Sequence, residues 1–463
     1  METNTPSTGH HSVPVSELNK LVRLALPILT AQLAQMAMVL VDTLMAGRVS
    51  AVDLAGVALG GALMWPVMMF FMGVLQAVTP TVSQLNGAGR QREVGEVIRQ
   101  ALWLAGFGAG LLIAFILNAE MIYALMVIDP AAIPVSVGYL AATAWGVPAL
   151  MGYFVLRFLC EGLGFTRPAM FIAVSALLVK IPLNYIFIYG AFGIAPMGGV
   201  GCGVATAIVM WLELGLILLV VSKSRFESTG WRRQFSWPDW QPMARLIAVG
   251  IPIGATLFFE MGLFALVALL LGRFGADVVA AHTIAINLGG LTFMFPLALG
   301  MAATIRVGFN VGAGKFDAAA QVAKLAVWLT LGVAVLLGAF VVSARHFIAG
   351  LYSTDVQVVA LASSLMLFVA VFQLFDSAQA TTIGALRGYK DTQVPMAITL
   401  VGYWFVGLPV ALTLGYGWIG PPMGAYGFWA GLTVALMFVA VCVLSRLWWL
   451  RRHPDLIVRL AHR

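Results

Sequence analysis

Long apolar stretches recur along the chain, separated by short polar turns. A helix that crosses a bilayer needs about 20 mostly apolar residues. Stretches of that kind lie at 21–46, 54–81, 99–118, 134–157, 168–189 and 199–222. Six more lie at 246–271, 279–305, 321–344, 356–385, 395–415 and 423–446. Between the two sets runs a polar segment that contains KSRFESTGWRRQF. The pattern predicts an all-α integral membrane protein of twelve transmembrane helices in two six-helix bundles. The expected division is a segment 1–20, a first bundle 21–222, a linker 223–245, a second bundle 246–446 and a tail 447–463.

The two halves repeat. Pro27 and Pro252 begin similar helices, 225 residues apart. At the same offset Gly47-Arg48 matches Gly272-Arg273, and GAGR at 87–90 matches GAGK at 312–315. P-M-G-x-x-G recurs at 196–201 and 422–427, and Tyr-Gly at 189–190 and 416–417. With six helices per half, both halves enter the membrane the same way up. An axis along the membrane normal then relates them, with a cleft between. That arrangement suits a transporter whose halves rock about a central site.

Composition strengthens the membrane reading. The 463 residues are 61% hydrophobic and only 10% charged, against about 25% charged in soluble domains. The first nineteen residues lack a basic stretch followed by a short apolar run, so no cleaved signal peptide is expected. Of the 26 lysines and arginines, 22 fall on one side of the predicted membrane, and Arg48, Arg273 and Arg345 on the other. Lys180 lies within a span. Basic loops stay inside, so both termini are expected in the cytoplasm. This asymmetry also accounts for the net charge of +7 without nucleic acid. The three cysteines form no CxxC pair, the six histidines (four of them near the termini, with His346 in a loop and His282 near a helix start) form no HExxH, and no P-loop completes the GAGR or GAGK turns. Neither a metal, a cofactor nor ATP is expected, and enzyme chemistry lacks its usual residues.

The informative residues are the charges inside the spans. Glu260 interrupts LFFEMGLFALVALLL near mid-membrane, where a charge costs roughly 2.5–3.5 kcal/mol on the insertion scale. Asp376 lies eleven residues before Arg387, roughly 16 Å along its helix, with Ser377, Gln379, Thr381 and Thr382 close by. Asp42 is shallower, about one and a half turns before Arg48. Carboxyls at such depth face wet cavities or protein partners, and can carry protons. Lys180 is the one basic residue in mid-span and requires an acid or a cavity. Asp42 is the nearest acid by depth, Asn184 is a possible hydrogen-bond partner, and Pro182 loosens the helix between them. The repeat places Gln35 opposite Glu260, Leu150 near Asp376 and Val267 opposite Asp42, so duplication demands none of these acids. Glu213 sits among bulky apolar neighbours, and Arg157 and Glu161 flank a predicted turn. All three read as structural. Phe258, Phe259 and Phe372 are candidate pocket aromatics for a lipophilic cation. The spacings G56xxxG60 and G106xxxG110 would permit close helix packing.

These residues carry a likeness along essentially the whole chain. VDTLMAG at 41–47, QLNGAGRQ at 84–91, PLNYIFIYG at 182–190, GGVGCGVATAIV at 198–209, LFFE at 257–260, VAAHTIAIN at 279–287 and GALRGYKD at 384–391 resemble the multidrug and toxic compound extrusion (MATE) family, in its NorM-like bacterial branch. The resemblance implies a twelve-helix antiporter of the inner membrane. Such a protein exports lipophilic cationic drugs and dyes and is driven by inward protons or sodium. The resemblance assigns coupling roles to Asp42, Glu260 and Asp376. Separately, two bundles in one chain enclose a complete cleft, so a monomer is expected to function. Two departures bear on the ion. Lys180 stands where NorM-like members tend to have asparagine, and Phe372 stands where sodium-coupled members have tyrosine. Hard cations such as sodium prefer several oxygen ligands, so both changes favour protons. Sodium coupling is the alternative, and a lipid-linked saccharide flippase a more distant one. The latter would need a cavity lined by many basic residues.

Overall fold

The computed structural model describes residues 13–124, 130–232 and 234–461. His10, His11, Arg233, His462 and Arg463 lie outside them. The spans, in chain order, are α1 (Val13–Gly47), α2 (Ala51–Gly87), α3 (Gln91–Leu117), α4 (Ile133–Ala144 with Val147–Gly162), α5 (Arg167–Gly190) and α6 (Gly199–Val221). The second set is α7 (Trp240–Leu271), α8 (Ala276–Gly312), α9 (Phe316–Tyr352), α10 (Val356–Gly388), α11 (Gln393–Tyr416) and α12 (Ala425–Arg451). Eleven are single helices long and apolar enough to span. The twelfth, α4, is two segments bent by 51°. Pro148 at the start of its second segment has no N–H to continue the first. No strand occurs among the described residues.

Several helices outrun their apolar stretches. Residues 13–20 and 240–245, expected ahead of the first and seventh spans, are already helical. His346, expected in a loop, lies within α9. Helical hydrogen bonding continues past the hydrocarbon limit, because hydropathy marks the membrane and not the end of a helix.

Two apolar cores divide the molecule. One joins α2–α6 with Leu246, Val249 and Ile253 of α7. The other joins α8–α12 with Leu263, Val267 and Leu271 of α7, and with Leu21 and Ala25 of α1. Further along α1, Ala31, Ala34 and Met38 pack on Ala173, Ala176 and Val209 of α5 and α6. Thus α1 and α7 each begin against the opposite bundle and finish in their own.

The repeat is visible in the backbone. Gly198 and Gly424, in the repeated P-M-G-x-x-G, both have φ of 56°, a region that favours glycine. Each opens the sixth helix of its half. At the end that carries most of the basic residues, α2 and α8 meet reciprocally. A Cβ on Gly87 would lie 1.9 Å from the Phe309 carbonyl oxygen, and one on Gly312 1.9 Å from that of Gln84. Gln84 and Phe309 are themselves repeat partners, as are Gly87 and Gly312. Ser83 and Gly308, another such pair, touch one another. Two equivalent residues can meet only beside the axis that relates them, so the pseudo-twofold passes between α2 and α8. Nearby, Gln84 Nε2 donates to the Gly388 carbonyl at 2.9 Å, and Arg387 Nη1 to Gln76 Oε1 at 3.1 Å. Gly73, Gly250 and Gly254 bring α2 against α7. These approaches use residues 70–87 of α2. The halves therefore meet at the basic end.

The two small-residue motifs differ. A side chain at Gly56 or Gly60 would strike Val135 or Tyr139 of α4, whereas Gly106 and Gly110 face open space. The second spacing makes no helix contact, because that face of α3 points out of the bundle.

Candidate ion and substrate site

In the first half the fold brings Asp42, Lys180 and Asn184 together. Asp42 reaches α5 because the second part of α1 packs on that helix. Lys180 Nζ lies 2.7 Å from Asp42 Oδ2, and Asn184 Nδ2 donates to Asp42 Oδ1 at 2.8 Å. Lys180 also donates to Thr206 Oγ1 at 3.1 Å, and Thr206 passes a hydrogen bond to the Cys202 carbonyl at 2.7 Å. All of these residues are buried. Two charges withdrawn from water need this geometry, with the remaining donors and acceptors filled. Thr206 escaped sequence reasoning, since one threonine in GCGVATAIV has no distinguishing signal.

The second half is built differently. Asp376 on α10 is buried, and Glu260 on α7 is partly so. They are close enough for each to feel the other's charge. Among the described residues neither forms an ion pair. The Tyr403 hydroxyl of α11 donates to the Glu260 carboxylate, and accepts from Gln379 Nε2 of α10 at 2.5 Å. Around them Gln373 bonds Thr292 at 2.8 Å, and Thr330 bonds Thr381 at 2.8 Å. The Gln379 Oε1 and Thr382 Oγ1 atoms, both buried, have no partner among the described residues. Tyr403 was not singled out from sequence, because a tyrosine in an aromatic run such as VGYWFVG reads equally well as an interfacial ring.

The polar residue that meets the acid lies at a widened stretch of the fifth helix in each half. Asn184 immediately precedes the π-helical residues Tyr185–Gly190, and Tyr403 lies within Val401–Gly407. Such widened turns occur often at functional sites.

The three aromatics separate. Phe258 is 43% exposed and meets Phe259 edge-on at 6.4 Å, beside Glu260. Phe372 is buried and stacks on Trp429 at 5.6 Å. Its ring fills the second core and does not line an open surface. Trp429 also packs edge-on against His282 at 5.6 Å, which is buried in α8. Glu213 has polar neighbours after all. It feels the charge of Arg157, which pairs with Glu161 at 2.8 Å and donates to Gln32 at 3.1 Å. Arg157 and Glu161 lie in the last turns of α4, ahead of the turn at 163–166 as expected, but both are buried.

The MatE family model matches residues 27–186 and 252–413, one match in each half. The chain is 44% identical over 453 residues to multidrug resistance protein MdtK of Yersinia enterocolitica, covering 97% of this chain and 99% of that protein. MdtK of Yersinia pestis gives the same identity and coverage. Among solved structures, the Vibrio cholerae MATE transporter VcmN in its bent form superposes with a TM-score of 0.86 at 18% identity, over 96% of this chain and 99% of that one. The eukaryotic MATE transporter AtDTX14 superposes with a TM-score of 0.85 at 21% identity, over 93% and 95%. The chain spans 95–99% of the length of these relatives, carries the family match in both of its repeated bundles, and belongs to the MatE family.

Proposed function

We propose that this protein is a multidrug efflux antiporter of the bacterial inner membrane, which exports lipophilic cations from the cytoplasm in exchange for protons. The basic end, with both termini, faces the cytoplasm, and the cleft opens to the outside. The observation that carries this reading is the contrast between the two sites. In the first half the carboxylate of Asp42 is already matched by the ammonium of Lys180. In the second half, among the described residues, neither Glu260 nor Asp376 forms an ion pair; Glu260 accepts from Tyr403 and feels the more distant charge of Arg387. Those two acids are the ones free to exchange an external cation for a proton.

A proton arriving from the outer cleft neutralises the pair at Glu260 and Asp376 and weakens its hold on a bound cation. The halves then rock open at the basic end, the proton leaves, and a new cation takes its place. Competition for one set of carboxylates couples the two flows. Phe258 and Phe259 offer the cation an apolar and π-rich wall. Asp42 and Lys180 act as an internal ion pair, which a metal cation could enter only by displacing the ammonium.

Sodium is the second reading, favoured by Gln379 Oε1 and Thr382 Oγ1, which have no partner among the described residues and lie on the same helix as Asp376. Against it, Phe372 has no oxygen to give. Tyr403 does bring a phenol oxygen to Glu260 from a different helix, but both of its hydrogen bonds are already used. A saccharide-lipid flippase would need many basic residues around these acids. Among the described residues the ion pair there is Lys180 with Asp42, with Arg387 acting on Glu260 from further away.

The test is transport in liposomes loaded with a fluorescent lipophilic cation, under a pH gradient alone and then a sodium gradient alone. The expected result is transport with the pH gradient only, and its loss in Asp376→Asn and Glu260→Gln. Exchange of cation for protons at the wild-type rate in Asp376→Asn would remove Asp376 from the mechanism. Transport driven by sodium alone would overturn proton coupling.

A further inference from the structure

At the basic end, away from the acids, lies a cavity of about 1140 Å³. Its walls come from both halves. Lys20, Arg23, Ile305, Arg306 and Phe309 belong to α1 and α8, and face Arg167, Phe171, Leu219, Lys223 and Arg225 of α5, α6 and the linker. Six lysines and arginines line it, with no aspartate or glutamate in the lining. Glu17 pairs with Lys20 at 2.8 Å and with Arg306 at 2.8 Å, which leaves Arg23, Arg167, Lys223 and Arg225 without an ion-pair partner among the described residues. Arg225 lies 4.7 Å from the centre of the Phe165 ring, which also borders the space.

Four such cations around one cavity repel each other and attract an anion. A free anion would account for only part of the lining, because Leu24, Phe165, Leu216, Ile305 and Phe309 are apolar. On the outer face of the bundle, Phe171 is 63% and Leu219 68% exposed. They form a greasy lip at the level where the first turns of α5 and the last turns of α6 leave the hydrocarbon. Basic pockets between spanning helices at that level suit the phosphate of an anionic lipid, with its glycerol and first acyl carbons on the apolar wall. A cationic substrate would be repelled.

We infer that this cavity is a binding site for an anionic phospholipid, its phosphate held by Arg23, Arg167, Lys223 and Arg225. Because one wall belongs to α1 and α8 and the other to α5 and α6, the lipid bridges the two halves. Opening of the molecule at the basic end would pull the site apart. The bound lipid therefore favours the conformation described here, closed at the basic end.

The full chain, purified and delipidated in a neutral detergent, tests this by native mass spectrometry and thermal unfolding. Palmitoyl-oleoyl phosphatidylglycerol is compared with the matching phosphatidylcholine, and with glycerol phosphate as the headgroup alone. The expected result is retention of phosphatidylglycerol and a rise in Tm, with little effect of the other two. Retention should fall at least tenfold in Arg23→Gln/Arg167→Gln/Lys223→Gln/Arg225→Gln. It should stay at the wild-type level in Arg451→Gln/Arg452→Gln/Arg459→Gln, which removes charge elsewhere on the same end. If the fourfold variant fails to fold, Arg23→Gln and Arg167→Gln singly should each lower retention. Equal retention of the two lipids, an equal effect of glycerol phosphate, or wild-type retention in the cavity variants would each overturn the inference. None of these readouts depends on which ion drives transport.

Discussion

Lys180 Nζ lies 2.7 Å from Asp42 Oδ2, so the one lysine in the middle of a span is matched to the acid of α1 that lies at membrane depth. Breaking a buried pair from one side leaves a charge without a partner and costs about 3–5 kcal/mol. Lys180→Met should lower the Tm sharply, and the double variant with Asp42→Asn should regain most of the loss. A double-mutant cycle in thermal unfolding measures this. Simple additivity of the two single losses would show that the pair contributes nothing.

Tyr403 joins Glu260 to Gln379 across α7, α10 and α11. In Tyr403→Phe the ring packs as before but neither hydrogen bond forms. The loss of a donor to a charged group is worth about 1.5–3 kcal/mol. Cation transport should therefore fall by about tenfold or more, with the protein still folded. Rates in liposomes, normalised to protein inserted, decide this, and an unchanged rate would make Tyr403 a packing residue only.

Ser83 and Gly308 are repeat partners that meet at the pseudo-twofold. A Cβ on Gly308 would lie 3.3 Å from the Ser83 Cβ, close to the 3.5–4.5 Å of a disulfide. Ser83→Cys/Gly308→Cys, with Cys442 replaced by serine, should cross-link under mild oxidation and stop transport. A reductant should restore it. Continued transport by the cross-linked protein would mean that α2 and α8 need not separate.

Lys390 lies in the turn between α10 and α11, with φ of 60°. Burial, followed by the charges of Arg245 and Arg90, pushes its ammonium down to about 8 from 10.5. Below pH 8 the folded chain bears the full cost of that charge. Between pH 8 and 10.5 the unfolded chain binds the extra proton, so this residue's contribution to stability rises with pH across that window. Lys390→Met should be more stable than the wild type at pH 7, by about 1–3 kcal/mol, and the gain should shrink towards pH 10. Thermal unfolding at pH 7 and pH 9.5 gives the answer, and a gain independent of pH would point to packing alone.

The sequence by itself determined the membrane class, the twelve spans, the duplication and the positions of the buried acids. Hydropathy is a local property that survives without coordinates, and a charge at the centre of an apolar run is conspicuous wherever the helix ends up. The match between Gly87 and Gly312 was also legible as a repeat, though not that the two glycines admit the opposite helix. Tertiary structure decided the rest. It buried Arg157 near the end of α4, and gave Glu213 a charged neighbour. It buried Phe372 against Trp429, brought Tyr403 to Glu260, and left Gly106 and Gly110 without a neighbour. It also carried the beginnings of α1 and α7 across to the opposite bundles. Each of these depends on the rotation of one helix against another, which is set by packing between residues far apart in sequence. A single strand of text shows how deep a residue lies, but not which neighbour it faces.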